Sequence, residues 1–230
     1  MRSFLFCLSL LLPLVGYAQE FKKISCRFLC LDAENPVPPL LNVGEKGAEI
    51  PCTVHTAELS PAVACSAKDQ TLTFLSAADR KPAATAKIPD SGKAFILIFV
   101  AAAKAPDALP WRVFVIEDSP ANFPDGGAYV ANFHNQDIRF VLGDKKLMLR
   151  SGTSHGFARP TQLDSFNMAP VSFEFQQNGT WRVAKESMQR FLPGTRYLFF
   201  AYVDPTSGRP RISTYRDLTI DAKPQGSPDP

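Results

Sequence analysis

Residues 88–100, IPDSGKAFILIFV, match residues 192–203, LPGTRYLFFAYV, once a single gap is opened, with Lys93 on Arg196 and Val100 on Val203. The likeness continues downstream, where Pro110-Trp111-Arg112-Val113 is echoed by Pro210-Arg211-Ile212 and Asp118 by Asp217. A self-match at the spacing of one small domain points to two copies of one unit. Both segments are apolar on consecutive residues, so each reads as a central strand covered on both faces. That makes the repeated motif a hydrophobic spine, for which no catalytic role is needed.

Around these spines the chain reads as short strands. In the first half they are Ile24 to Leu31, Ile50 to His55, Leu72 to Leu75, Phe95 to Ala101 and Trp111 to Ile116. The second half continues with Tyr129 to His134, Ile138 to Leu142, Leu147 to Leu149, Val171 to Gln176, Trp181 to Val183, Tyr197 to Val203 and Arg211 to Tyr215. Val171, Phe173 and Phe175 alternate with Ser172, Glu174 and Gln176, the period of a half-buried strand. Asn178-Gly179 then supplies a two-residue turn of positive φ, and a second hairpin is predicted at Gly143 to Lys146. Asn178-Gly179-Thr180 is also a glycosylation sequon, but the turn accounts for it. Helical signals are confined to two turns over Ala184 to Leu192 and one irregular turn within Glu58 to Ala67.

Many short strands with frequent Pro and Gly predict an all-β protein. The expected architecture is two tandem β-sandwich units, immunoglobulin-like or jelly-roll-like, after a cleaved signal peptide. The expected divisions are 1–18 for the signal peptide, 19–125 and 126–221 for the two units, and 222–230 for a disordered Pro-rich tail. Each unit is long enough to bury its own core. A single larger β domain with an internal pseudo-repeat is the competing reading. The immunoglobulin pattern of a buried Trp between paired cysteines is missing, because both tryptophans follow Cys65.

The first eighteen residues have the layout of an export signal: Arg2, an apolar run from Phe4 to Val15, then Gly16-Tyr17-Ala18 with small residues at −3 and −1. The run is too short to span a bilayer, for which roughly 20 apolar residues are needed. The protein is therefore expected to be secreted or periplasmic, with no transmembrane anchor in the mature chain. Losing Arg2 lowers the formal charge from +3 to +2. The basic residues are scattered, which argues against nucleic acid as a partner; an extracellular or envelope partner is expected instead.

Cys7 leaves with the signal, and Cys26, Cys30, Cys52 and Cys65 remain. An even count in an exported chain permits two disulfides. Cys26 and Cys30 share a predicted strand, about 13 Å apart and beyond bonding reach. Pairing of each with Cys52 or Cys65 is favoured. The alternative is a zinc set of Cys26, Cys30, Cys52 and His55, whose spacing is imperfect and leaves Cys65 over.

No other chemistry stands out. The three histidines, His55, His134 and His155, accompany no G-x-S-x-G elbow, and Ser151 and His155 are loop neighbours rather than a triad. Asp118, Asp125 and Asp164 suit turns as well as they suit acid–base work. Asn132, His134, Asn135 and Asp137 form a polar cluster after a strand, and Ser151 to Arg159 forms a loop. No catalytic residue and no cofactor is assigned. The function expected is that of a non-enzymatic protein with a structural, adhesive or ligand-binding role. The alternatives are a carbohydrate-active enzyme or its accessory binding module, and a zinc- or redox-linked exported domain.

Overall fold

The computed structural model describes residues 21–32, 34–102, 108–204 and 207–218; the segments expected as signal peptide and tail lie outside them. The described residues are all-β, with one short 3-10 segment at Glu45–Gly47 and no helix long and apolar enough to cross a membrane. The first half carries β1 (Phe21–Cys30), β2 (Leu40–Val43), β3 (Glu49–Cys52), β4 (Val63–Lys68), β5 (Thr71–Ser76), β6 (Pro82–Lys87), β7 (Ala94–Ala101) and β8 (Trp111–Glu117). The second carries β9 (Ala128–Asn132), β10 (Ile138–Leu142), β11 (Lys145–Leu149), β12 (Ser154–Phe157), β13 (Met168–Gln177), β14 (Thr180–Arg190), β15 (Thr195–Val203) and β16 (Pro210–Leu218).

In the first half one sheet of eight strands runs β3-β2-β5-β4-β1-β7-β8 with β6 beside β5, and it divides into a β4-β1-β7-β8 part and a β3-β2-β5-β6 part. The described ladders join the two through the pair Lys68↔Thr71, across an Asp69-Gln70 turn whose residues both take positive φ. In the second half the order is β12-β9-β15-β16 and β11-β10-β13-β14, in two separate sheets. Every strand number is raised by eight. The parallel neighbours recur in step, β1 with β7 and β9 with β15.

Three apolar cores result. Cys26, Phe28, Phe95, Leu97 and Phe99 face Leu72, Phe74, Ala84 and Ala86 inside the first half. Phe28, Phe74 and Phe99 meet edge-on at centroid distances of 5.7–6.3 Å. Phe140, Phe173 and Phe199 form the matching cluster of the second half. The third core lies between the halves, where Leu29, Ile96, Ile98 and Ile116 meet Ala131, Leu198 and Phe200 around Phe123. Each such Leu, Ile or Phe contributes about 1.5–3 kcal/mol of burial. β7 and β15 are therefore covered on both faces, as their unbroken apolar runs require.

The ladders revise the alignment of the repeat by one residue. The N–H of Asp118 donates to the carbonyl of Ala94, and Asp217 pairs with Arg196. Superposing the two aspartates places Arg196 on Ala94, not on Lys93, and brings together Gly92 and Gly194, both of positive φ. A one-residue slip exchanges the two faces of a strand. Only the revised register keeps Ile96 with Leu198 and Ile98 with Phe200 on the face shared by the halves.

Other elements depart from expectation for tertiary reasons. Ala184 to Leu192 is not helical, since β14 pairs with β13 as far as Met168↔Arg190, past a bulge at Phe173/Glu174. Val63 to Ala67, the end of the expected irregular turn, belongs to strand β4, which pairs with β1. Pairing with a neighbour outweighs weak local helix propensity. β6 escapes a pattern search because its buried residues are alanines, which face the Phe-rich layer. In β12, Gly156 is required because a Cβ there would lie 2.0 Å from the carbonyl oxygen of Asn122. The Asn178-Gly179 hairpin is as expected, with both residues at positive φ, and the second hairpin tightens to Gly143-Asp144.

Where the first half's two layers meet, the fully buried Asn42 replaces a ladder. Its amide accepts the Ser66 N–H at 2.7 Å and donates to the carbonyls of Ser66 and Thr73 at 3.1 and 3.2 Å. Replacing Asn42 by Ala strands these backbone groups in the core, and a loss of about 1–3 kcal/mol is expected. Urea unfolding of Asn42→Ala beside the parent measures it; an unchanged midpoint would show that the corner does not depend on the amide.

Candidate ligand-binding cleft

Alternate residues of three strands cross from one end of the contact between the halves to the other. β1 presents Arg27 and Leu29, with Leu31 just beyond its end; β15 presents Arg196, Leu198, Phe200 and Tyr202; β16 presents Asp217, Tyr215 and Ser213. The contact is thus charged at one end, apolar in the middle and open at the other. Arg196 to Tyr202 spans about 20 Å of strand.

At the charged end four side chains close a ring. Arg27 donates from Nη1 to Asp217 Oδ1 at 2.7 Å and from Nη2 to Asp118 Oδ2 at 2.8 Å. Arg196 donates from Nη2 to Asp217 Oδ2 at 2.5 Å and from Nη1 to Asp118 Oδ1 at 2.9 Å. Its Nη1 also reaches the Phe123 carbonyl, and the guanidinium lies 4.0 Å over the Phe123 ring. Two positive and two negative charges cancel within the ring. Burial raises the Asp217 carboxyl, but its bonds to Arg27 and Arg196 outweigh that and hold it below its usual range. Burial likewise opposes the Arg27 cation, yet Asp217 and Asp118 raise it above its ordinary value.

At the open end the strands diverge around a cavity of about 520 Å³. The first half supplies Leu31, Asp32, Glu34, Val100 and Ala101; the second supplies Phe133, Tyr202, Val203, Asp204, Arg211, Ile212, Ser213 and Tyr215. This volume is within the range of small-molecule sites, which favour boundaries between domains. Phe133 stacks on Phe200 at 5.6 Å and meets Phe114 edge-on at 5.1 Å, so the cleft floor continues the third core. Asp32 caps the following turn, accepting the N–H groups of Glu34 and Asn35 on Oδ1 and the Asn35 amide on Oδ2. Arg211 Nε donates to Asp204 Oδ2 at 3.0 Å, and the Ser207 N–H to Asp204 Oδ1. Tyr202 and Ser213 hydroxyls lie 3.3 Å apart.

The residues singled out by sequence fall mostly elsewhere and hold loops together. Asn132 Oδ1 accepts the His134 N–H, while its amide donates to the carbonyls of Gln136 and Leu149. His134 Nδ1 accepts the Gln136 N–H, and burial lowers the ring's pKa. Asp137 accepts the Ser151 N–H, and the Ser151 hydroxyl donates to the His134 carbonyl, not to His155. The His155 ring packs on Phe157. Asp125 accepts the Gly194 N–H, and Asp164 the N–H groups of Phe166 and Met168. Asp118 belongs to the ring of charges. The cleft residues carried no motif; the one sequence signal nearby was the paired Asp118 and Asp217.

The four cysteines are buried free thiols. Hydrogen bonding to Cys65 and burial raise Cys52, and hydrogen bonding to Cys26 raises Cys65, so three thiols form a chain with Cys65 at its centre. Cys30 stands apart at the end of β1, its thiol against the Asp32 carbonyl at 3.4 Å. The expected pair of disulfides is not formed in this structure, and Cys30 Sγ meets the backbone carbonyls of Asp32 and Asn35. Cys26, Cys30, Cys52 and His55 are not gathered as ligands: among the described residues no three His, Cys, Asp or Glu side chains converge on a metal position. His55 instead faces Glu58 and bridges Leu29 through its backbone.

No protein-family model matches the chain, and no curated protein matches it.

Two outcomes are expected. Asp217→Asn leaves two arginines facing a single aspartate and costs about 3–5 kcal/mol at neutral pH. Because the folded carboxyl is depressed, its contribution is complete above the unfolded value of about 3.9 and is lost as pH falls through the lower folded value. The gap between the denaturant curves of parent and variant should therefore begin to narrow only below about pH 4 and go on narrowing as the pH falls; a constant gap would show that the ring does not act through the Asp217 charge. Secondly, alkylation and mass spectrometry of protein folded under oxidising conditions should find at most one disulfide, joining Cys65 to Cys52 or Cys26, with Cys30 always free. Two disulfides per chain would refute the thiol arrangement.

Proposed function

We propose that the chain is an exported, non-enzymatic binding protein made of two tandem β-sandwich units, which holds its ligand in the cleft between them. The cleft carries this reading, because both halves line it and neither half forms it alone. The repeated strand order, with every number raised by eight, supports duplication of one sandwich unit. Export rests on the first eighteen residues alone.

Hydrolysis of a glycoside is the second reading, since Asp32, Glu34 and Asp204 all border the cavity. Such chemistry uses two carboxylates, one as acid and one as base or nucleophile. Asp32 is engaged on both oxygens by its own turn, and Asp204 is held by Arg211 and the Ser207 N–H. Only Glu34 remains exposed without such an anchor among the described carboxylates of the cleft. An exposed aromatic platform for sugars is also lacking: the cleft rings Phe133, Tyr202 and Tyr215 are half-buried, and the one exposed ring among the described residues, Phe166, is not part of the cleft lining. Binding is therefore favoured over turnover. Incubating the purified protein with polysaccharide, peptide and ester substrates should yield no product. Sustained turnover abolished by Glu34→Gln would replace this reading with the enzymatic one.

A further inference from the structure

Granted that the cleft is the binding site, its charge and rings narrow the ligand. Three carboxylates, Asp32, Glu34 and Asp204, share the cavity wall with one guanidinium, Arg211. Arg211 is engaged by Asp204 at 3.0 Å, so the described lining residues keep an excess of two negative charges. These carboxylates are spread around the cavity, and no three of them converge as a bare metal ion would need. Beside them stand the half-buried rings of Phe133, Tyr202 and Tyr215, the type of side chain that packs against organic cations. A dicarboxylate or phosphate would meet like charge. A neutral sugar would leave the excess charge unanswered.

We infer that the cleft binds an organic cation, an amine or guanidinium carried by a free small molecule or by a Lys or Arg side chain of an extracellular peptide. The carboxylates supply charge complementarity at the rim, and the rings supply a desolvated wall that a hydrated metal ion could not use. Attraction of this kind weakens with ionic strength, because the carboxylates are not fully buried.

Titration calorimetry of the exported chain tests it, with agmatine, a blocked Arg-Gly dipeptide, neutral maltotriose and glutarate as probes, while NMR follows the tyrosine resonances. Agmatine or the dipeptide should bind one to one, the better of them identifying the source. Affinity should fall severalfold between about 50 mM and about 300 mM salt. Glu34→Gln, at an exposed position outside every core, should weaken binding about fivefold with unchanged unfolding. If maltotriose or glutarate binds and shifts the tyrosines while both cations fail, the cation assignment falls and the cleft stands. Should no probe bind or perturb the cleft resonances, the cleft itself is refuted along with its ligand.

Discussion

The ring of Arg27, Asp118, Arg196 and Asp217 is the interaction on which the arrangement of the two halves rests. Each arginine bonds both aspartates, and each aspartate receives both arginines, so no charge is left uncompensated at a site where Arg196 and Asp217 are buried and Arg27 and Asp118 are partly exposed. A hydrophobic contact tolerates sliding; a closed ring of charge-assisted hydrogen bonds does not. Its net stabilisation is modest, because desolvation offsets most of the Coulombic gain. What it contributes is position. Any displacement of one half against the other strands a buried charge, and that penalty fixes which faces of β7 and β15 meet.

The ring also shows where the two halves stopped being equivalent. The aspartates occupy matching places at the ends of β8 and β16, but the arginines do not. Arg196 stands where the first half has Ala94, and Arg27 where the second has Tyr129. One half thus donates its cation from the strand beside the spine and the other from the spine itself. The same asymmetry reaches the open end of the contact. There the first half contributes aliphatic ends and the turn carboxylates, while the second contributes all three rings and Arg211. A symmetric pair would have made a symmetric, and chemically uniform, cleft.

How much of this was legible in the sequence depended on how local each cause was. The central strands could be read because continuous apolar runs mean burial on both faces, and Asn178-Gly179 could be read because only certain residues accept positive φ. The Ala-rich β6 and the exposed β14 could not, since each is a strand only by virtue of the neighbour it pairs with. The repeat itself was visible, yet its register was one residue out. Matching Lys93 to Arg196 by charge was misleading, because Lys93 is exposed and Arg196 is buried in the ring. The functional candidates failed for a related reason. His134, Asn132, Asp125 and Asp164 are polar where backbone groups need partners, and that need is as common in loops as catalysis is rare. The cleft residues lie far apart in sequence and share no pattern, so only the packing of the halves assembles them.

That packing links the ring to the cleft. Along β15 the same face holds Arg196 at one end, Leu198 and Phe200 in the middle and Tyr202 at the other. A strand covered on both faces bends little, so fixing Arg196 fixes the direction in which Tyr202 enters the cavity. Along β1 the relation is the same from Arg27 through Leu29 to Leu31 and the Asp32 turn. The opening between the halves thus lies about 20 Å along the strand from the ring of charges, with the apolar contacts of Phe114, Phe133 and Phe200 at its floor. A cavity whose walls are already packed would lose little conformational freedom on taking the ligand proposed above. On the binding reading proposed above, loosening the ring should weaken binding without touching a single lining residue.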